Sequence, residues 1–202
     1  MNLRVSNLTA VRSGRLIFAD LSFDLASGEA LAVVGPNGSG KSTLLRLIAE
    51  LLPAEAGTVT LDGGEEGEPV AERVHYLGHR DPLKPTLTAR ETLNFWQRLL
   101  GAPRMTAEDA LARVNLAHAI DLPSGYLSAG QRRRLSLARL LVSHRPLWLL
   151  DEPSAALDRV SSELFETLVD EHLRAGGLVM AATHLPFGFQ TRVLDLGKHA
   201  DA

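Results

Sequence analysis

The sequence predicts an α/β fold in which a parallel sheet is covered by helices on both faces. Short apolar runs alternate with helical patterns in the second half of the chain, which is typical of parallel strands joined by crossover helices. The first third consists instead of strand-like runs separated by Gly, Ser and Asp turns. We therefore expect an α/β core that begins with a β-rich part and carries a helical insertion between Arg80 and Arg145.

The individual elements are predicted from apolar spacing and from capping patterns. Strands are expected at 2–8, 18–25, 30–34, 57–61, 74–77, 147–150, 178–182 and 193–196. Helices are expected after Thr88 with Glu91, after Thr106 with Asp109, and over 43–51, 128–142 and 162–174, with Leu135, Leu137, Leu140 and Leu141 on the buried side of the fourth. The polar segment Asp62–Pro69 is predicted to be a solvated hairpin connection.

Composition excludes several classes of protein. With 45% hydrophobic and 22% charged residues, the chain of 202 residues is expected to be one soluble domain. The net charge of −3 gives no general attraction to nucleic acid. Without aromatic partners or wider basic charge, most of Arg132, Arg133 and Arg134 are interpreted as a solvated helix face. Without cysteine there is no disulfide and no thiolate metal site. No apolar run approaches the roughly 20 residues of a membrane span, and no signal peptide is evident. We expect a cytosolic chain that reaches a membrane only by docking onto other proteins.

A phosphate-binding loop is predicted at Gly35–Ser42, which fits the pattern G-x-x-x-x-G-K-[ST] between a buried strand and a helix. Glycines allow successive N–H groups to point at phosphate oxygens, and the helix N-terminus adds a favourable dipole. Lys41 is expected to reach the β- and γ-phosphates, and the hydroxyl of Ser42 to bind Mg²⁺. A glycine-rich turn without a ligand would need neither the lysine nor so many glycines. The predicted nucleotide-binding residues are Gly35, Pro36, Asn37, Gly38, Ser39, Gly40, Lys41, Ser42 and Thr43.

Two neighbouring carboxylates follow the apolar run 147–150. Ligands gather at the C-terminal edge of open α/β sheets, so Asp151 is predicted to hold Mg²⁺ and Glu152 to act as general base or water-orienting group. A solvated acidic turn before Pro153 is the alternative interpretation. The upstream phosphate loop favours the catalytic interpretation.

A further motif carries a resemblance to a known family. Leu127-Ser128-Ala129-Gly130-Gln131 resembles the signature sequence of ABC (ATP-binding cassette) ATPases. Ser154-Ala155-Ala156-Leu157-Asp158 resembles the D-loop of that family, and His184 stands where the family has its switch histidine. The resemblance implies a P-loop NTPase fold with a RecA-like parallel core, an antiparallel β subdomain and an inserted α-helical subdomain. It divides the single domain 1–202 into a nucleotide core, 1–79 and 146–202, and a helical signature subdomain, 80–145.

The resemblance also implies a partner. In ABC ATPases the signature of one subunit contacts the γ-phosphate held by the other, so two ATP molecules lie between two subunits arranged head to tail. Ser128 is expected to cap a helix whose N–H groups approach that anion, with the small Ala129 and Gly130 beside it. The chain is therefore expected to need a second copy of itself, and to use ATP and Mg²⁺.

Two positions depart from the family pattern. Arg12 stands where the family has an aromatic residue that stacks on adenine, and an arginine plane can also stack on a base. His79, in Gly78-His79-Arg80-Asp81-Pro82, stands where the Q-loop glutamine is expected. Either His79 takes over that position or the loop couples to its partner differently.

The second departure resembles one subfamily. The segment YLGHRDPLKPTLTARETLNFW, the phrase LWLLDEPSAALD and the short chain are similar to the ATP-binding subunits of cytochrome c biogenesis, the haem exporter ATPases. That resemblance implies a peripheral protein on the cytoplasmic face of the bacterial inner membrane, working with integral membrane subunits to export haem or release a haem-loaded chaperone. The ATPase of another small ABC transporter is the first alternative, and a soluble ABC ATPase is the second.

Overall fold

The computed structural model describes residues 1–65, 67–79, 82–154, 157–183, 188 and 190–198. Along these residues the helices and strands are β1 (Asn2–Arg12), β2 (Arg15–Ala26), β3 (Ala30–Val34), α1 (Lys41–Ile48), β4 (Ala56–Leu61), β5 (Val74–Leu77), α2 (Ala89–Leu100), α3 (Ala107–Arg113), α4 (Ala129–Val142), β6 (Leu147–Asp151), α5 (Arg159–Arg174), β7 (Leu178–Ala182) and β8 (Arg192–Asp195). Among them no helix is long and apolar enough to cross a membrane.

The chain divides into two compact units. The first comprises Met1–Gly78, Pro146–Pro153 and Val169–Ala202, and the second comprises His79–Arg145 and Ser154–Leu168.

The first unit contains a five-stranded sheet in the order β5-β6-β7-β3-β8, and every described neighbouring pair is parallel. Every residue of β6 and of β7 is buried. Strands that are covered on both faces need apolar residues at successive positions, and the runs LWLL and LVMAA supply them. The predicted parallel α/β core is confirmed.

The first unit also contains a three-stranded antiparallel sheet in the order β2-β1-β4. The β1–β2 hairpin turns through Ser13 and Gly14, both with positive φ (51° and 74°), as a tight two-residue hairpin turn requires. Its strands are longer than predicted and extend to Arg12 and from Arg15. The added residues 9–12 and 15–17 are mostly apolar although Val11 and Leu16 are exposed, so the alternation that marks a half-buried strand is missing there.

One hydrophobic core joins both sheets of the first unit to α1. Leu44, Leu45 and Ile48 of α1 are fully buried in it together with Phe18 of β2 and Leu149 of β6. Because α1 directly follows the phosphate loop, this packing fixes the loop against the parallel sheet.

The second unit is helical, and α2, α3 and α4 pack against one another. The capping box predicted at Thr88 and Glu91 is present, and Thr106 caps α3 through the N–H of Asp109. The leucines predicted on the buried side of α4 are all buried: Leu135, Leu137, Leu140 and Leu141. Trp96 packs within this unit, with the guanidinium of Arg139 4.4 Å from its ring centroid.

Three sequence-based expectations are wrong. The segment Asp62–Pro69 is not a hairpin connection, because β4 and β5 lie in different sheets; a polar run marks a turn but carries no information on which strand pairs next. Arg133 is 3% exposed, not solvated. Helix α5 begins at Arg159, not at 162, because the carboxylate of Asp158 accepts a hydrogen bond from the N–H of Ser161 at 2.8 Å and caps it.

Candidate nucleotide-binding site

The phosphate loop lies between β3 and α1 and rests against the β1–β2 hairpin. At Gly40, where φ is +97°, an added Cβ would fall on Cγ2 of Ile17 and within 3.2 Å of the ring of Phe18. A residue with a side chain would therefore meet both backbone strain and a clash at this position. Glycine at position 40 is therefore required by packing against the hairpin as well as by phosphate binding.

Helix α1 begins without a side-chain cap. Its N-cap residue is Gly40 in the left-handed conformation, and none of the described side chains accepts a capping hydrogen bond there. The first N–H groups of an α-helix have no partner within the helix. At α1 these donors and the positive end of the dipole are therefore directed at the space where an anion binds.

Lys41 is buried, with 9% of its surface exposed. Its Nζ donates hydrogen bonds to the carbonyl oxygens of Gly35 at 2.7 Å and Pro36 at 3.1 Å. The ammonium group is thus held across the loop by neutral acceptors. A phosphate oxygen is a stronger acceptor for a cation than a carbonyl is, so this lysine is positioned to exchange partners when a nucleotide enters.

Ser42 and Asp151 form the polar pair at the C-terminal edge of the sheet. The Ser42 hydroxyl donates to Oδ1 of Asp151 at 3.0 Å, and Asp151 is 3% exposed. Mg²⁺ is bound in proteins by one or two oxygen side chains together with waters and phosphate oxygens, and this pair fits that donor set. Among the described residues there is no cluster of three or more His, Asp or Glu that could hold a metal alone.

Glu152 turns the chain sharply at the end of β6. Its φ is +49°, a conformation that costs a residue with a side chain about 1 kcal/mol. Its N–H donates to the carbonyl of Ala182 at 2.9 Å, which continues the pairing of β6 with β7 and stabilises the strained turn. The pairing of β6 with β7 therefore fixes the backbone position of Glu152, next to the buried Asp151.

Arg12 lies at the exposed tip of the β1–β2 hairpin, opposite Arg15. Ala10 pairs with Phe18, whereas Val11 pairs with Leu16, so Ile17 is an extra residue in β2. Residues at i and i+2 of a strand share a face; Arg12 is therefore on the same face as Ala10 and its partner Phe18. Since the ring of Phe18 adjoins Gly40, Arg12 lies on the side of the hairpin that faces the phosphate loop.

Sequence reasoning missed a polar contact between α1 and β5. Arg46 donates from Nε to the hydroxyl of Tyr76 at 3.1 Å. This hydrogen bond raises the pKa of Arg46 above its ordinary value, and the carboxylate of Asp151 adds a smaller effect in the same direction. Tyr76 belongs to the YLGH segment, but a tyrosine in a predicted strand gives no indication of its partner.

The signature residues lie in the second unit at the start of α4. Ser128 is the N-cap, and its Oγ accepts from the N–H of Gln131 at 3.2 Å while the Gln131 side chain accepts from the N–H of Ser128 at 2.8 Å. Leu127 is buried, and its carbonyl accepts a hydrogen bond from Arg132. The signature is thus a capped helix N-terminus held by its own side chains.

The remaining predicted site residues are only partly described. Ser154 accepts a turn hydrogen bond from the N–H of Leu157 at 3.2 Å. The side-chain hydrogen bond from Ser161 is the main cause that lowers the pKa of Asp158, the α5 cap. His79 follows β5 and is exposed. Ala155, Ala156 and His184 lie outside the described residues.

The chain is similar to known proteins along most of its length. Residues 18–155 match the ABC transporter family. The cytochrome c biogenesis ATP-binding export protein CcmA of Rhodopseudomonas palustris BisB5 is 56% identical over 96% of each chain. Proteins of the same name from Bradyrhizobium diazoefficiens and Brucella abortus are 54% and 50% identical over 98% of this chain.

Solved structures show the same fold. A putative ABC transporter ATP-binding protein from Pyrococcus furiosus superposes with a TM-score of 0.85 over 99% of this chain and all of that chain, at 22% identity. The predicted ABC ATPase fold is therefore confirmed. The chain belongs to the ABC transporter family, as an ATP-hydrolysing subunit of the kind named cytochrome c biogenesis ATP-binding export protein.

Proposed function

We propose that this chain is the ATP-hydrolysing subunit of a membrane ABC complex for c-type cytochrome biogenesis, and that hydrolysis drives haem export or release of a haem-loaded chaperone. The identity of 50–56% to relatives named for that process supports the assignment. The observation that carries the chemistry is the hydrogen bond of 3.0 Å between Ser42 and the buried Asp151, beside the uncapped start of α1.

ATP binds with its phosphates against the loop Gly35–Thr43. The N–H groups of the loop and of the first turn of α1 donate to phosphate oxygens. Lys41 leaves the carbonyls of Gly35 and Pro36 for the β- and γ-phosphates, where its charge is better compensated. Arg12 stacks its guanidinium plane on the base, since it lies on the loop-facing side of the hairpin.

Ser42 and Asp151 would hold Mg²⁺, and the ion would supply neutralisation of the phosphate charge. Asp151 is also the group that accepts from the Ser42 hydroxyl, and so it keeps that oxygen aimed at the site before the nucleotide arrives.

Glu152 orients the attacking water and takes its proton. A positioned general base contributes about 10²- to 10⁴-fold to a rate, and the strained turn at φ +49° holds this carboxylate where β6 ends. His184 assists at the γ-phosphate, the D-loop Ser154–Asp158 contacts the partner, and His79 takes the Q-loop position.

The active site is completed by a second copy. The capped start of α4, with Leu127 to Gln131, approaches the γ-phosphate held by the other subunit in a head-to-tail dimer. The complex includes integral membrane subunits of the cytochrome c maturation system, and the chain binds them as a peripheral protein on the cytoplasmic face of the inner membrane. The net charge of −3 gives no general attraction to nucleic acid.

The dimer is tested with Glu152→Gln. Removal of the base stops hydrolysis and leaves ATP binding intact, so the variant is expected to be a dimer with saturating ATP and Mg²⁺ and a monomer with ADP, by light scattering after size exclusion. Glu55→Gln, a change at an exposed carboxylate of the same unit, is the matched control and should hydrolyse ATP normally. A monomer of Glu152→Gln with ATP contradicts the head-to-tail arrangement.

The cargo assignment is tested in a bacterium from which the corresponding gene is deleted. The native chain is expected to restore covalently bound haem in c-type cytochromes, measured by haem staining, and Glu152→Gln is not. The Glu55→Gln control should restore it. Normal bound haem without any copy of the gene, or full rescue by Glu152→Gln, would show that hydrolysis by this chain does not serve cytochrome c biogenesis.

A further inference from the structure

Tyr126 is the most exposed of the large hydrophobic side chains that the structure describes. It is 80% exposed, whereas the others in that group, such as Leu99 at 61%, are less so. Burying an aromatic ring is favourable, and a ring prefers contact with another flat π-system. Both faces of this exposed ring are accessible to a ligand of that kind.

The backbone around Tyr126 is held by hydrogen bonds to neighbouring segments. The N–H of Gly125 donates to the carbonyl of Pro85 at 3.0 Å, and the N–H of Tyr126 donates to that of Pro123 at 3.0 Å. The buried Ser124 donates from Oγ to the carbonyl of Lys84 at 2.8 Å. An exposed ring on a fixed turn loses little entropy when it binds a ligand.

The ring stands next to the signature. Leu127 and the N-cap Ser128 are both extended (ψ 145° and 165°), so the Cα atoms of Tyr126 and Ser128 are separated by about 7 Å. A phenol side chain that extends away from Ser128 adds its own length to this separation. The reach is then comparable with the length of the ribose and triphosphate that join a base to its γ-phosphate.

The other half of the nucleotide site lacks a ring for the base. Residues 9–17, which form the tip of the β1–β2 hairpin, contain no aromatic residue. They offer Arg12 and Arg15, paired across the tip. A guanidinium plane covers one face of a base and leaves the second face to be covered.

We infer that Tyr126 binds the purine ring of the nucleotide held by the partner copy, so that the base lies between Arg12 of one subunit and Tyr126 of the other. The inference rests on the proposed head-to-tail dimer. In that dimer the signature of one subunit contacts the γ-phosphate of the ATP that the other subunit holds. Tyr126 is separated from Ser128 of the signature by one extended residue, so its ring contacts the nucleoside of the same ATP. Adenine recognition is thereby divided between two copies of the chain.

The first experiment measures steady-state hydrolysis by the full chain assembled in its complex. Two substrates are compared: ATP, and ribose 5-triphosphate, which has no base. Tyr126→Ala is expected to raise KM for ATP by about 5- to 100-fold, the effect of one lost base stack, with KM for ribose triphosphate unchanged. Tyr126→Phe keeps the ring and should retain the native KM for ATP. Phe95→Ala, which removes another exposed aromatic of the same unit, is the matched control and should change neither value.

The outcomes that overturn the inference are distinct. An unchanged KM for ATP in Tyr126→Ala shows that the ring does not touch the base. An equal rise of KM for both substrates in Tyr126→Ala shows that Tyr126 acts on the phosphates or on the shape of the signature. A raised KM for ATP in Tyr126→Phe shows that the hydroxyl, not the ring, is the required group.

The second experiment asks which copy supplies the ring. Dimers are mixed from a tagged Lys41→Ala chain, which is expected to bind ATP about 100-fold more weakly, and a Glu152→Gln chain. They are irradiated with 2-azido-ATP at a concentration that only the Glu152→Gln chain binds. The label is expected on the tagged chain, in the peptide that contains Tyr126, and is lost when Tyr126→Ala is added to that chain. Label on the Glu152→Gln chain alone overturns the inference while leaving the dimer intact; absence of any dimer of Glu152→Gln with ATP instead refutes the proposed function.

Discussion

The N-termini of α1 and α4 differ in how their first N–H groups are used. At α1 the N-cap is Gly40, which has no side chain, and the loop is held by Lys41 through bonds of 2.7 and 3.1 Å to carbonyl oxygens. At α4 the N-cap is Ser128, and a complete capping box with Gln131 already uses some of the free donors. The first end is open and charged, and it can bind a phosphate by itself. The second is closed by its own side chains, and Arg132 at its start already donates to the carbonyl of Leu127. It is suited to add a few contacts to an anion that is already bound.

The sharpest test of the comparison concerns the absence of a side chain at Gly40. Gly40→Ala is expected to lower the free energy of unfolding by about 3 kcal/mol, because it combines a left-handed backbone with a clash against Ile17 and Phe18. Gly38→Ala is the matched control: φ is +85° and an added Cβ meets nothing within 4 Å, so only about 1 kcal/mol should be lost. Urea unfolding of both variants measures the difference. Equal losses would show that the contact with the hairpin does not require glycine.

The next test removes the charge of the open end. Lys41→Ala is expected to weaken ATP binding about 100-fold, or about 2.7 kcal/mol, since a hydrogen bond to a charged phosphate contributes most of that amount. Lys84→Ala, at an exposed lysine in the other unit, is the control and should bind as the native chain does. Titration calorimetry with ATP and Mg²⁺ gives both dissociation constants. If Lys41→Ala kept native affinity, α1 would bind phosphate without its cation and the contrast with α4 would disappear.

The smallest effect is expected at the closed end. Ser128→Ala should lower the free energy of unfolding by about 1 kcal/mol through loss of the cap. It should leave ATP affinity of the monomer unchanged, because in the proposed dimer α4 contacts the nucleotide of the partner. Thr88→Ala is matched to it, since Thr88 and Glu91 form the same kind of capping box at α2. The two variants should lose similar stability by thermal unfolding, but only Ser128→Ala should lose ATPase activity. Equal activity in both would make the signature cap purely structural.

Much of the fold was predictable because its signals are local. The capping boxes at Thr88 and Ser128 each involve residues three positions apart. The buried runs of β6 and β7 and the leucines of α4 likewise follow from apolar spacing. The prediction failed where burial does not follow residue type, as at the buried Arg133 and at the exposed Val11 and Leu16 of the β1–β2 hairpin. Burial of a charged side chain depends on which elements pack around it, and that is absent from local periodicity.

By itself, the sequence determined the parallel α/β core, the phosphate loop Gly35–Ser42, the carboxylates after β6 and the family. Only the tertiary structure decided that Ser42 bonds to Asp151, 109 residues away, that Arg46 bonds to Tyr76, and that Arg12 lies on the loop-facing side of its hairpin. It also decided that Tyr126 stands exposed beside the signature. These features depend on strand order, on strand register and on packing between segments that are distant in the sequence. Such relations are set only when the chain folds into its tertiary structure.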